Sequence, residues 1–156
     1  MDNMNNFRLA IDADDAAVSL KDSIAAYLKQ KGIQITDLKY SKDGSAFYPE
    51  IASNLAEKIQ HGEYDRGILL CGTGLGMSIA ANKYKGIYAG VCHDVYSAER
   101  LAKSNDANVL TMGARVIGVE LAKKIVDAWL DSTFEDGKSL PKVQQIRDIE
   151  NKNFKS

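Results

Sequence analysis

A disulfide framework and an interdomain linker both lack material in this 156-residue chain, which holds only two cysteines and two prolines. Cys71 and Cys92 are too few for a stapled scaffold and are read as thiols. Pro49 and Pro141 stand alone, with no Gly/Ser-rich stretch or charge block beside them, so one domain over residues 1–156 is expected. No window approaches the ~18 apolar residues of a membrane span, and the N-terminus has no basic region followed by an apolar run. A cytoplasmic protein without membrane contact is expected. The formal charge is −1, from 20 Lys and Arg against 21 Asp and Glu. That balance supplies no attraction for polyphosphate, so nucleic-acid binding has no support. Average composition remains, 45% hydrophobic and 26% charged, enough for a packed core. A small-molecule partner becomes the default.

Short β-branched runs alternate with segments of helical period. Phe7–Ile11, Ile33–Leu38, Gly67–Leu70, Ile87–Val91 and Val109–Met112 read as strands. Val18–Lys31, Glu50–His61, Met77–Lys83, Val95–Ser104 and Val119–Trp129 read as helices. Five β–α units predict a mainly parallel five-stranded sheet between two helical layers, a Rossmann-like α/β/α sandwich. Such folds bind ligands beyond the carboxyl ends of their strands, here Asp12–Asp15, Cys71–Gly76, Cys92–Asp94 and Gly113–Arg115. Leu140, Val143, Ile146 and Ile149 then form an apolar stripe on a charged tail. A C-terminal helix over about 138–153 is expected to pack on a partner subunit.

The densest signal is Cys71-Gly72-Thr73-Gly74-Leu75-Gly76-Met77-Ser78, between an apolar strand and a helix. Its glycines let the backbone turn sharply and approach a ligand, while the helix start offers unpaired amides that favour an anion and a thiolate. Three chemistries compete. A dinucleotide loop needs G-x-G-x-x-G, and Gly72, Gly74 and Gly76 have the wrong third spacing. A cysteine phosphatase would, by resemblance, place arginine six positions after the thiol, where Met77 stands. Proton transfer at carbon fits without contradiction: a thiolate takes a proton beside a carbonyl and the amides hold the enediolate oxygens. Cys92 has no such neighbours and reads as a core residue.

The run Cys71–Lys83 resembles the signature of the ribose-5-phosphate isomerase B and galactose-6-phosphate isomerase subunit family. The likeness continues through Cys92–Ala98, Asn105–Val109, Gly113–Gly118 and Glu120–Trp129. It implies an aldose–ketose isomerase of a small phosphorylated sugar, using no metal and no cofactor, that forms a homodimer or dimer of dimers with shared active sites. By position, Cys71 would be the enediol base and Thr73 a hydroxyl assisting proton movement. Gly72, Gly74, Leu75 and Gly76 would supply substrate-binding amides. Asp14, Tyr48, Asn105 and Arg115 would line the pocket.

Three departures bear on the substrate. Asp15 stands where the family has a phosphate-contacting histidine, and a second carboxylate repels phosphate unless it turns away. Lys138 and Lys142 replace two phosphate-clamping arginines, keeping charge but losing the bidentate fork. Ser104 replaces the histidine that opens the sugar ring, and serine cannot act as an acid near neutral pH. A four-carbon sugar phosphate, such as erythrose 4-phosphate or erythrulose 4-phosphate, has no ring to open. Alternatively, the chain is the cysteine-bearing subunit of a hetero-oligomeric galactose-6-phosphate-type enzyme, or a five- or six-carbon ring is opened by water or His93. A non-enzyme reading starts from Asp12, Asp14 and Asp15, which resemble the acidic cluster of a phosphoacceptor receiver. That family needs an aspartate where Cys71 stands and a lysine at Gly113–Arg115.

Overall fold

The computed structural model describes residues 6–154, so the ends of the expected 1–156 domain lie outside it. In chain order the elements are β1 (Leu9–Ala13), α1 (Val18–Gln30), β2 (Ile35–Asp37), α2 (Tyr48–Gln60), β3 (Arg66–Cys71), α3 (Leu75–Ala81), β4 (Ala89–Val91), α4 (Val95–Lys103), β5 (Val109–Gly113), α5 (Val119–Leu130), a 3-10 turn (Gly137–Ser139) and α6 (Leu140–Asn153). Every strand pairing is parallel, in the order β2-β1-β3-β5-β4. The three central strands are buried along their whole length, as near-continuous apolar runs covered on both faces should be.

Alternate residues feed two cores. Leu9, Ile11, Ile68, Leu70, Leu110 and Met112 pack with Ile24 and Leu28 of α1 and Val126 and Trp129 of α5. Ala10, Leu69, Cys71 and Val109 face the other way, onto Ile51 and Leu55 of α2 and Met77 of α3. The result is the predicted Rossmann-like three-layer sandwich. From β1 the order runs to β2 on one side and to β3 on the other, so the carboxyl ends of β1 and β3 flank the switch point. Asp12–Asp15 and the cysteine–glycine loop emerge there.

The strands differ from the expected spans for local reasons. β1 begins two residues late because Phe7 leaves the ladder and lies 3.9 Å from the Arg66 guanidinium. The edge strands β2 and β4 have only three residues each. β4 is closed by a side chain instead of a neighbour: Asn82 Oδ1 accepts from Ala89 N at 2.8 Å, and its Nδ2 donates to Ala89 O at 2.9 Å, which blunts the edge against further pairing. The helix α2 starts at Tyr48, not Glu50, since Pro49 suits a first turn and Glu50 reaches back to accept from Phe47 N at 3.3 Å.

Only Val143 of the α6 stripe is buried, whereas Ile146 and Ile149 are exposed. Polar contacts tie the helix down: Arg147 Nη2 donates to Asp106 Oδ2 at 2.6 Å, and Glu150 Oε2 accepts from Gly86 N at 2.7 Å. Glu150 also accepts from the Tyr88 hydroxyl; burial and that carboxylate push the phenol up to about 12.

Candidate active site

Cys71 ends β3 with its side chain buried, and its Sγ accepts the backbone N–H of Gly74 at 3.1 Å. Gly74 adopts φ 80°, a left-handed turn that folds the loop back over the thiol. The buried Thr111 hydroxyl of β5 fixes that turn by donating to Gly74 O at 2.9 Å. Thr73 is exposed, and its Oγ1 accepts from Leu75 N at 3.2 Å, so its own proton remains available to a ligand. Among the described residues, the amides of Gly76 and Met77 meet no protein acceptor. A sulfur and unpaired amides thus sit on one short loop and helix start, the kinds of group that deprotonation beside a carbonyl requires. The helix begins at Leu75 instead of Met77. This brings Leu75 and Gly76 into its first turn.

The neighbouring elements close around this loop. Asp14 N donates to Leu70 O at 3.2 Å, holding the β1 loop against β3. Burial raises the Asp14 carboxyl above its ordinary value; the Ala16 amide and the Arg115 charge oppose that rise, while Asp15 adds to it. Asp15 itself is exposed. Arg115 N donates to Gly72 O at 3.0 Å, and a Cβ on Gly72 would stand 3.0 Å from Arg115 Nη1. The Tyr48 ring lies over Gly76, where a side chain would strike it. The structure brings Cys71, Thr73, Gly72, Gly74, Leu75, Gly76, Asp14, Tyr48 and Arg115 into one neighbourhood.

These contacts separate two glycine substitutions. A Cβ on Gly113 would lie 2.5 Å from Thr73 Cα and 2.7 Å from Gly72 O, both backbone atoms. Gly113→Ala must displace the cysteine loop, and about a 10²-fold fall in kcat is expected from a shift of that size. Gly76→Ala meets only the swinging Tyr48 ring. It raises KM while kcat stays within about threefold. Steady-state kinetics on the two variants checks the contrast.

Ser104, Asn105, Lys138 and Lys142 lie elsewhere. Cys71 pairs with Gly113 at the carboxyl end of β5, whereas Ser104 and Asn105 precede Val109 at its other end. Five strand residues put roughly 13 Å between those ends. Lys138 and Lys142 are exposed, in the 3-10 turn and the first turn of α6, whose later turns bond Asp106 and Gly86 at that same amino-terminal end. One chain does not bring the two groups together.

His93 is removed from the acid role that the sequence left open. Its Nε2 accepts from Gly113 N at 2.9 Å, so that nitrogen carries no proton, and burial lowers the imidazole's pKa. Cys92 is buried, with its thiol pushed up to about 11 by burial and then by Asp94, which keeps it protonated.

The family model described as ribose/galactose isomerase matches residues 9–146. The chain belongs to the ribose/galactose isomerase family. It is 56% identical over 139 residues to the D-erythrulose-4-phosphate isomerase of Pectobacterium atrosepticum, covering 88% of this chain and 91% of that protein. It is 47% identical over 146 residues to the ribose-5-P isomerase B of Listeria innocua, covering 94% and 99%. The ribose-5-phosphate isomerase B structure from Clostridium thermocellum superimposes with a TM-score of 0.88 at 43% identity, covering 93% of this chain and 98% of that one. This member of the ribose/galactose isomerase family is a sugar-phosphate isomerase, an enzyme of the aldose–ketose class.

Three polar residues of this isomerase escaped sequence reasoning. Thr111 sits inside an apolar strand and shows its purpose only once Gly74 is beside it. Asp106 adopts φ 52° and is held by Arg147, 41 residues away, which no local pattern connects. Arg100 donates through Nε to Ser104 Oγ at 2.8 Å. Its i, i+4 spacing to Ser104 on a helix was a readable signal.

Proposed function

We propose that the enzyme interconverts erythrulose 4-phosphate and erythrose 4-phosphate, with Cys71 as the base, in sites completed by a second copy of the chain. The observation that carries the substrate is Ser104. Its hydroxyl accepts from Arg100, it cannot serve as an acid, and His93 is committed to Gly113. A four-carbon sugar esterified at its terminal hydroxyl has no hydroxyl left to close a furanose ring, so no ring-opening acid is needed. The relative from Pectobacterium atrosepticum carries that substrate in its name.

Starting from the ketose, the Cys71 thiolate takes a proton from C1. The electron pair moves to O2 through a cis-enediolate, held by the amides of Gly76 and Met77 and by the Gly74 turn. The thiol returns a proton to C2, and Thr73 carries a proton from O1 to O2. C1 and C2 exchange oxidation levels inside one molecule, so no external oxidant enters. Arg115 and Tyr48 border the sugar hydroxyls from the same chain. Asn105, Lys138 and Lys142 come from the other copy. Leu75, 56% exposed, and Ile79, 64% exposed, share one face of α3, and Phe47, 77% exposed, caps α2 just before Tyr48, whose ring lies over Gly76. That apolar rim beside the cysteine loop favours burial against a partner.

A panel of sugar phosphates tests the substrate. For the purified chain alone, kcat/KM on erythrulose 4-phosphate exceeds that on ribose 5-phosphate by at least about tenfold, a difference of roughly 1.4 kcal/mol. Equal or better turnover of ribose 5-phosphate, or activity on a six-carbon phosphate only after adding another subunit type, would reject this reading.

A further inference from the structure

Among the described residues, Asp12 is the most deeply buried that carries a charge, 1% exposed. It lies opposite Leu69 in the β1–β3 ladder, and strand alternation puts it on the face shared by Ala10, Leu69 and Cys71. No cation pairs with it: Lys21 Nζ lies 2.9 Å from Asp37 Oδ2 and 3.6 Å from Asp22 Oδ1. Two backbone amides meet its oxygens instead, Ala13 N donating to Oδ1 at 2.8 Å and Tyr40 N to Oδ2 at 3.1 Å. Burial raises the carboxyl above its ordinary value, and those two amides oppose the rise. A buried carboxylate without a cation costs stability that an apolar strand residue would not. What the position gains is a grip on the segment between β2 and α2.

That segment leads to the candidate active site. Lys39 has φ 48°, a left-handed conformation that disfavours a side chain. It is held between Asp37 Oδ1, which accepts Lys39 N at 3.3 Å, and Asp12, which accepts Tyr40 N. Ser41 follows, and its Oγ accepts Ala46 N at 2.9 Å, closing the loop 41–46. Phe47 then caps α2, and the ring of Tyr48 lies over Gly76. We propose that Asp12 is a positioning residue: through Tyr40 and the Ser41–Ala46 closure it sets the first turn of α2, and so where the Tyr48 ring stands above the cysteine loop. This rests on the reading that puts Tyr48 beside the sugar hydroxyls, and is independent of the number of carbons. Ile51 and Leu55 pack α2 into the core, so losing Asp12 shifts its first turn and leaves the helix in place.

The test uses the full-length enzyme, with whichever of erythrulose 4-phosphate and ribose 5-phosphate the wild type turns over better. In Asp12→Asn an NH2 group replaces one oxygen at the same size and cannot accept, so one of the two amides loses its bond. KM rises at least about fivefold, with kcat within about threefold. Ser41→Ala cuts the link further along, at a half-buried position, and moves KM in the same direction by less. Tyr48→Ala raises KM at least about tenfold, and adding Asp12→Asn to it raises KM less than about twofold more, because the ring to be positioned is gone. Hydrogen exchange in Asp12→Asn quickens over residues 38–48 and is unchanged in β3 and β5. Effects that multiply in the double variant, a loss confined to kcat, or faster exchange across the whole sheet overturn the proposal, since Asp12 then only supports the fold. If Tyr48→Ala leaves KM unchanged, the reading of Tyr48 fails and this proposal falls with it; if Tyr48→Ala raises KM and Asp12→Asn does not, only the role of Asp12 fails. Should Asp12→Asn not fold, Ser41→Ala alone and combined with Tyr48→Ala decides by the same criteria.

Discussion

Mixing two inactive variants, Cys71→Ala and the double variant Asn105→Ala/Lys142→Ala, restores about a quarter of wild-type activity once subunits have exchanged. The expectation follows from the positions of the two groups. Cys71 aligns with Gly113, and Asn105 lies before Val109 at the far end of β5. No side chain spans roughly 13 Å within the sheet, so the proposed site takes its cysteine from one copy and its asparagine and lysine from the other. Random exchange makes half of the dimers mixed, and a mixed dimer holds one intact site and one doubly defective site. Half of one half is the recovered quarter. Activity assay after co-expression or after dissociation and reassociation reads it directly. No recovery, with exchange verified by mass, would mean that each site lies within one chain.

Cys71→Ala alone lowers kcat by about 10² to 10⁴-fold, the range that a positioned acid–base group supplies. KM moves little, because the amides, Arg115 and Tyr48 remain. The substitution removes one buried sulfur and one N–H···S contact from Gly74, and a stability loss of about 1–2 kcal/mol is expected. Thermal melting therefore separates lost chemistry from lost fold. Cys71→Ser supplies a second check: its oxygen still accepts from Gly74, yet a hydroxyl is a far weaker base at neutral pH. Both variants melt as cooperative, folded proteins and both are inactive.

The layers of the fold were legible because each strand of the central trio is a short apolar run between helices of clear period. The order was not, since periodicity says nothing about which strand neighbours which. β5 lies beside β3 and β4 at the edge, an exchange from sequential order that no local pattern in either strand announces. Edge strands shrank because Asn82 closes β4 through its side chain, a contact with no local signature. In the site, the glycine spacing around Cys71 could be read directly, as only a sharp turn at Gly74 and close approaches at Gly113 and Gly76 explain it. Ser104 could be read as a loss but not as the seat of Arg100. The separation of Ser104 and Arg115 to opposite ends of β5 was hidden, because one strand lies between them and they look close in the chain.

Isomerisation of erythrulose 4-phosphate in D2O, followed by proton NMR, tests the proposed chemistry most directly. Wild type incorporates solvent deuterium at C2 of the aldose and C1 of the ketose, and Cys71→Ala incorporates none above the buffer rate. Deuterium entering at the wild-type rate with Cys71→Ala contradicts a cysteine base acting through an enediolate.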